Sequence, residues 1–282
     1  MIIDTHAHIG ALPPFFDMTT EQVLRSMDKY GVDFTLVISI EAAEFDHQSN
    51  PVPDFLQKPQ NRVLRDTLDA VRQAPDRLGA LPWLKINQEL PDAEFIRTVR
   101  EYRSLIYGFK LHPFHSLTAP DDERLEPVYA LAEELGLPIV SHTGGCEQAM
   151  SVHLYNAAKR HPSIDFVMVH MDLGTDNKAA LDLLGTLPNL YGDTTWVPVS
   201  TTVEAIRRYG SKKMLFGTDN PIDGPDTLLH NKTGERSLYQ QYFHELRERG
   251  CEKSLKNRQA HNRKDRRLCA CCGIISLWKI IP

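Results

Sequence analysis

Eight short runs rich in apolar and β-branched residues recur along the chain, each followed by a stretch of helical period, and this alternation constrains the fold most. The runs begin near Ile2, Phe34, Leu78, Ile106, Pro138, Asp165, Leu190 and Lys213. The intervening helices are predicted at Thr20 to Met27, Arg62 to Arg72, Ala93 to Tyr102, Val152 to Arg160, Lys178 to Leu184, Thr202 to Tyr209 and Ser237 to Arg249. One more is predicted to open on Pro120-Asp121-Asp122-Glu123, to carry Leu125, Val128, Tyr129, Leu131, Ala132 and Leu135 as its stripe, and to stop at Gly136 before Pro138. Strict strand–helix alternation implies an all-parallel sheet. Eight units favour a closed (β/α)8 TIM barrel over an open doubly wound sheet, and no glycine-rich phosphate loop follows the first strand to support the latter.

The polar residues fall at the ends of these runs. Asp4, His6 and His8 are spaced two apart, so one strand face carries all three. Lys110 and His112 repeat the spacing in the fourth run. The fifth ends at His142, the sixth at His170 and the eighth at Asp219. In a parallel barrel the C-terminal strand ends converge on one mouth. Six groups distant in sequence are therefore predicted to be neighbours: His6, His8, Lys110, His142, His170 and Asp219. Burying so many polar side chains uncompensated is costly. A divalent metal resolves that cost, since neutral imidazoles and a carboxylate are its natural ligands.

Each residue alone has a plainer reading. A strand-end histidine is more often a hydrogen-bonded structural residue, Asp219 can cap the turn made by Asn220 and Pro221, and Lys110 can be a solvated lysine. Their joint placement at five of eight strand ends is what favours a site. His47, His115, His153, His161, His230, His244 and His261 lack that placement and read as surface or loop residues.

Composition excludes several classes. With 41% hydrophobic and 24% charged residues over 282 positions, the chain can build a core without disulfides or a structural metal. A net charge of −5 offers no global field for nucleic acid, which is not expected as a partner. No apolar run reaches the ~20 residues of a membrane span, and the first residues lack the pattern of an export signal, so a cytoplasmic location is expected. The composition breaks at Gly250. Residues 1–249 read as the barrel domain, and 250–282 as an atypical tail with eight Lys and Arg against two acids and four of the five cysteines. Cys269, Cys271 and Cys272 are too closely spaced for a zinc module. A basic tail can hold RNA phosphates, but a non-native extension or altered reading frame explains this composition better.

Five segments carry a family resemblance: Ile3-Asp4-Thr5-His6-Ala7-His8, Gly108-Phe109-Lys110-Leu111-His112-Pro113, His142-Thr143-Gly144, Val169-His170-Met171 and Phe216-Gly217-Thr218-Asp219-Asn220-Pro221. In that order they resemble the amidohydrolase superfamily of metal-dependent barrel enzymes, in particular the branch containing aminocarboxymuconate-semialdehyde decarboxylase and related hydrolases. The resemblance implies that His6, His8, His142 and Asp219 bind one divalent ion, most often zinc. It implies that His170 acts as acid/base or electrostatic partner. Some other branches carboxylate a lysine on the fourth strand to bridge two metals. The Lys-x-His-Pro setting instead resembles the mononuclear branch, so Lys110 and His112 are expected to face the substrate.

Such a site suits hydrolysis of a small-molecule amide, ester or lactone. A metal with an open position lowers the pKa of its water to ~7, and Asp219 or His170 can move the proton. The same site can hold an unsaturated or aromatic carboxylic acid and release carbon dioxide. A non-catalytic metal-binding scaffold is the alternative of another class, and a homo-oligomer stays open. The long Glu41 to Gln60 loop has the length of a lid, and Phe15, Phe16, Trp83 and Trp196 are candidates for an apolar pocket wall. Lys85 is the other basic candidate near the mouth and is expected to point to solvent.

Overall fold

The computed structural model describes residues 1–12, 16–46 and 48–220. The strands are β1 (Ile3–Leu12), β2 (Phe16–Met18), β3 (Phe34–Ser39), β4 (Leu78–Ala80), β5 (Phe109–Leu111), β6 (Ile139–Gly144), β7 (Phe166–Leu173), β8 (Leu190–Asp193) and β9 (Met214–Leu215). The helices are α1 (Thr20–Tyr30), α2 (Gln60–Arg72), α3 (Ala93–Glu101), α4 (Pro113–Ser116), α5 (Glu126–Leu135), α6 (Ser151–Arg160), α7 (Lys178–Leu184) and α8 (Val199–Tyr209). The helix predicted at Ser237 to Arg249, the tail 250–282, Pro221, Phe15, His47, His230, His244 and His261 lie outside the described residues.

All eight predicted strands are present, and β2 is a short antiparallel addition to the end of β1. The parallel strands form two sheets, in orders β1-β3-β4 and β5-β6-β7-β8-β9. Backbone hydrogen bonds join them at both edges. Tyr107 N donates to Ala80 O at 2.9 Å and Lys110 N to Pro82 O at 2.9 Å; Thr5 N donates to Phe216 O at 2.9 Å and His8 N to Asn220 O at 2.8 Å. The bridges across both seams are parallel, as a (β/α)8 ring requires.

Strand period two sorts the core into two parts. Leu36 and Ile38 of β3, Val140 of β6, Val167 and Val169 of β7 and Leu215 of β9 belong to a small inner cluster with Leu81 and Trp83. Their neighbours Val37, Ile139, Phe166, Met168 and Met214 pack outward against the helices in a larger cluster with Leu64, Leu68, Phe95 and Val128. Helix ends follow the local chemistry. Thr19 and Gln22 form a capping box at α1, Asp92 caps α3, and Gly136 closes α5 in the left-handed region at φ 60°. The helix predicted to open at Pro120 begins later. A 3-10 turn at Glu123–Leu125, capped by Asp122, precedes α5, whose early turn holds Pro127 where no N–H is needed.

Between β6 and β7 the backbones approach too closely for a side chain. Gly144 has φ +99°, and a Cβ there would lie 2.1 Å from Leu173 N. Gly144→Ala is expected to destabilise the protein by roughly 3 kcal/mol or more, combining left-handed strain with overpacking against backbone. The urea midpoint checks this, and a wild-type midpoint would show that the β6–β7 contact yields freely.

Candidate metal centre

The inward parity that fills the barrel with Leu36, Val140 and Leu215 turns polar at the strand ends. His6 and His8 from β1, Lys110 from β5, His142 from β6 and Asp219 beyond β9 are all buried. The tightest group is His6, His8 and Asp219. Asp219 Oδ1 lies 3.2 Å from His6 Nε2 and 2.9 Å from His8 Nε2, and the two nitrogens are 3.2 Å apart. Lys110 Nζ is 3.3 Å from His6 Nε2. Lys110 is thus wholly buried beside His6 and is not a solvated lysine.

His170 reaches the same point by a break in strand geometry. Period two would send it outward with Phe166 and Met168. Instead His170, Met171 and Asp172 have φ of 69°, 48° and 68°, and Met171 takes the outward place among the helix-facing core residues. The His170 ring centroid lies 5.5 Å from that of His6 and 4.7 Å from that of His142. Three consecutive non-glycine residues in the left-handed region cost about 1–3 kcal/mol each. The turn is held by Asn177 Nδ2, which donates to Met171 O at 2.7 Å and His170 O at 3.3 Å, and by Asp172 N, which donates to Thr143 Oγ1 at 3.0 Å.

His142 and His112 stand to one side. The His142 Nε2 faces Gly144 O at 3.1 Å, and its ring stacks on His112 at 4.2 Å. His112 stacks in turn on Trp83 at 4.5 Å, giving a layered wall of three rings. His142 is therefore beside the cluster, with its buried Nδ1 lacking a hydrogen-bond partner.

Burial sets the protonation of the group. It holds His6, His112 and His142 well below the usual imidazole range, helped by Lys110 beside His6, by His142 beside His112 and by His170 beside His142. Burial also takes His170 down to about 4, with Asp219 opposing and Lys110 reinforcing. For Asp219, burial pushes up, but the hydrogen bond from His8 and the charges of His8, His170 and Lys110 outweigh it and leave the carboxyl at about 2. Burial lowers Lys110 to about 8 against the pull of Asp219 and Asp193.

This donor set fits a divalent cation. Imidazole nitrogens and a carboxylate oxygen, the donor types that ligate such ions, converge within 3.2 Å of one another among buried residues. His6, His170 and Asp219 also offer ligand atoms all within 4.8 Å of one another.

Several expectations change. His115, read as a surface or loop residue, is buried against His112 and Trp83, and its Nδ1 meets Phe45 O at 2.6 Å. Its backbone oxygen also accepts from Glu44 N and Phe45 N, so part of the Glu41 to Gln60 loop is pinned to the mouth. Lys85 does not point to solvent: its Nζ donates to Lys58 O at 2.8 Å and pairs with Glu89 at 3.1 Å. Asp193, at the C-terminal end of β8, was not foreseen. It is 1% exposed, and its Oδ2 lies 3.5 Å from His6 Nδ1. Asp4 is also a framing group, accepting from Thr218 Oγ1 at 2.6 Å and Thr218 N at 3.1 Å next to Asp219.

A family model described as Amidohydrolase matches residues 3–242. No curated protein matches the sequence. Among solved structures the chain is similar to a probable 2-pyrone-4,6-dicarboxylic acid hydrolase from Acinetobacter baumannii with citric acid bound, at 17% identity over 80% of this chain and 86% of that one, with a TM-score of 0.56. It is similar to 5-carboxyvanillate decarboxylase from Sphingomonas paucimobilis, at 15% identity over 80% and 90%, TM-score 0.57. It is also similar to an uncharacterized TIM-barrel protein from Bordetella bronchiseptica, at 19% identity over 78% and 86%, TM-score 0.55. At these identities the likeness is one of fold.

Proposed function

The chain belongs to the amidohydrolase family, and from that premise we propose that it is a metal-dependent hydrolase of a small-molecule amide, ester or lactone. The observation that carries this reading is the convergence of His6, His8 and Asp219 on one buried point with the His170 ring beside it. His6, His8, His142 and Asp219 would hold one divalent ion, zinc being the expected metal. Bound there, the ion supplies Lewis acidity and a water of pKa ~7.

The protein's own groups do the rest. His170 is neutral, and its Nδ1 is tied to Thr195 O at 3.2 Å, which leaves Nε2 to take a proton and return it to the leaving group. Asp219 stays ionised beside it. Lys110 presents a buried ammonium to a substrate oxygen. The stacked rings of His142, His112 and Trp83 give a flat wall. No helix among the described residues is long and apolar enough to cross a membrane.

One observation favours decarboxylation as a second reading. The buried Lys110 ammonium could seat a substrate carboxylate, and a hydrogen bond to a charged group is worth ~1.5–3 kcal/mol. Oxygen-18 water separates the two. After a screen of lactones, amides and unsaturated acids, turnover of the active compound is expected to place label in the organic product. Carbon dioxide release with no label in that product would overturn hydrolysis in favour of the carboxy-lyase.

A further inference from the structure

We propose that Asp193 is the positioning residue of this site: one carboxylate that aims both His6 and His170, holding each imidazole with its proton on Nδ1 and its Nε2 lone pair turned inward. Asp193 Oδ2 lies 3.5 Å from His6 Nδ1. Asp193 Oδ1 accepts from His170 N at 3.0 Å and from Thr195 N at 3.1 Å, and Oδ2 accepts from Thr195 Oγ1 at 2.6 Å. Thr195 is thereby fixed by both its donors, and its carbonyl faces His170 Nδ1 at 3.2 Å.

A neutral imidazole carries one proton, and the nitrogen facing a carboxylate or carbonyl oxygen keeps it. His6 has a carboxylate on each side, Asp193 3.5 Å from Nδ1 and Asp219 3.2 Å from Nε2, and the Lys110 ammonium 3.3 Å from Nε2 breaks the tie: it can only donate, so Nε2 accepts and the proton sits on Nδ1 toward Asp193. His170 faces the carbonyl that Asp193 positions. Both rings therefore present an unprotonated Nε2. In His6 that atom is the one 3.2 Å from Asp219.

The same carboxylate braces the left-handed turn that brings His170 inward, because its bond to His170 N is made at the first of the three strained residues. Gly217 leaves the room the arrangement needs. A Cβ there would lie 2.4 Å from Thr195 Oγ1 and 3.1 Å from both Asp193 Oδ2 and His6 Cβ.

This inference rests on the reading of the cluster as a metal centre, and its test separates the two. In the full-length metal-free chain labelled with nitrogen-15 histidine, long-range nitrogen–proton spectra are expected to show His6 and His170 protonated on Nδ1, with signals assigned by their loss in His6→Gln and His170→Gln. Asp193→Asn keeps the shape but can present an amide N–H to His6 Nδ1, so the His6 proton is expected to move to Nε2. Zinc affinity, read by competition with a chelating dye, is expected to fall 10–100-fold, the scale for losing such a supporting carboxylate. Turnover should fall in kcat more than in KM. His6 protonated on Nε2 in the wild type would overturn the proposal even if Asp193→Asn fails to fold. So would a folded Asp193→Asn with unchanged tautomers and zinc affinity. A wild-type chain that binds no zinc would sink the metal-centre reading, and the tautomers alone would then decide the role of Asp193.

Discussion

Asp219→Ala is expected to leave the purified protein without its divalent ion and with activity at least about 10³-fold below wild type. Asp219 is the carboxylate that meets both β1 imidazoles, at 2.9 and 3.2 Å, and it is ionised far below neutral pH. Its removal leaves neutral imidazoles around the Lys110 ammonium, in a spot with almost no solvent. A dication added to that set gains no anionic ligand there and is repelled by Lys110 at close range. Leaving the buried Lys110 charge without its partner also costs about 3–5 kcal/mol of folding stability. His6→Ala should act in the same direction, removing a ligand nitrogen and the group that faces Asp193. Elemental analysis per chain is the measurement, with a thermal melt to confirm folding. Full metal occupancy in either folded variant would overturn the ligand assignment.

Much of this site was legible in the sequence because two simple periodicities govern it. Parity along β5 and β6 places Lys110 and His142 on the inward face that Val140 also occupies, and Asp219 follows β9 at the same mouth, in the left-handed region at φ 59°. The alternation of strands and helices then brings those ends together. What parity could not show was the turn at His170. Read as a regular strand, Val-Met-Val-His sends the histidine outward with Met168, and the left-handed run that reverses it depends on partners distant in sequence: Asp193, Asn177 and Thr143. Asp193 itself carried a usable signal. It ends an apolar run, Leu190-Tyr-Gly-Asp, as the recognised residues do, but it adjoins two threonines and reads as an ordinary turn opener. His115 and Lys85 were misread for a different reason. Both follow strand ends, and their burial comes from a long connection folding back over them, which no local pattern encodes.

His170→Ala is expected to keep the metal and lose about 10²–10⁴-fold in kcat, the range for a missing acid–base group. The alternative is that His170 is itself a ligand, since its nitrogen lies within 4.8 Å of ligand atoms on His6 and Asp219. The two roles make different demands on the same Nε2. Nδ1 is committed to Thr195 O, so His170 has one nitrogen to offer, and a ligand nitrogen cannot also carry a proton to a leaving group. His6 and His8 already supply two imidazoles from one strand, both within 3.2 Å of Asp219; the His170 ring is almost as near to His6 as His8 is, 5.5 against 5.1 Å between centroids, so its role rests on its single free nitrogen and not on distance. Metal content decides between the roles. His170→Ala with near-stoichiometric metal and collapsed kcat fits the acid–base role. Loss of metal in parallel with activity would make His170 a ligand and would move the proton-carrying task to Asp219.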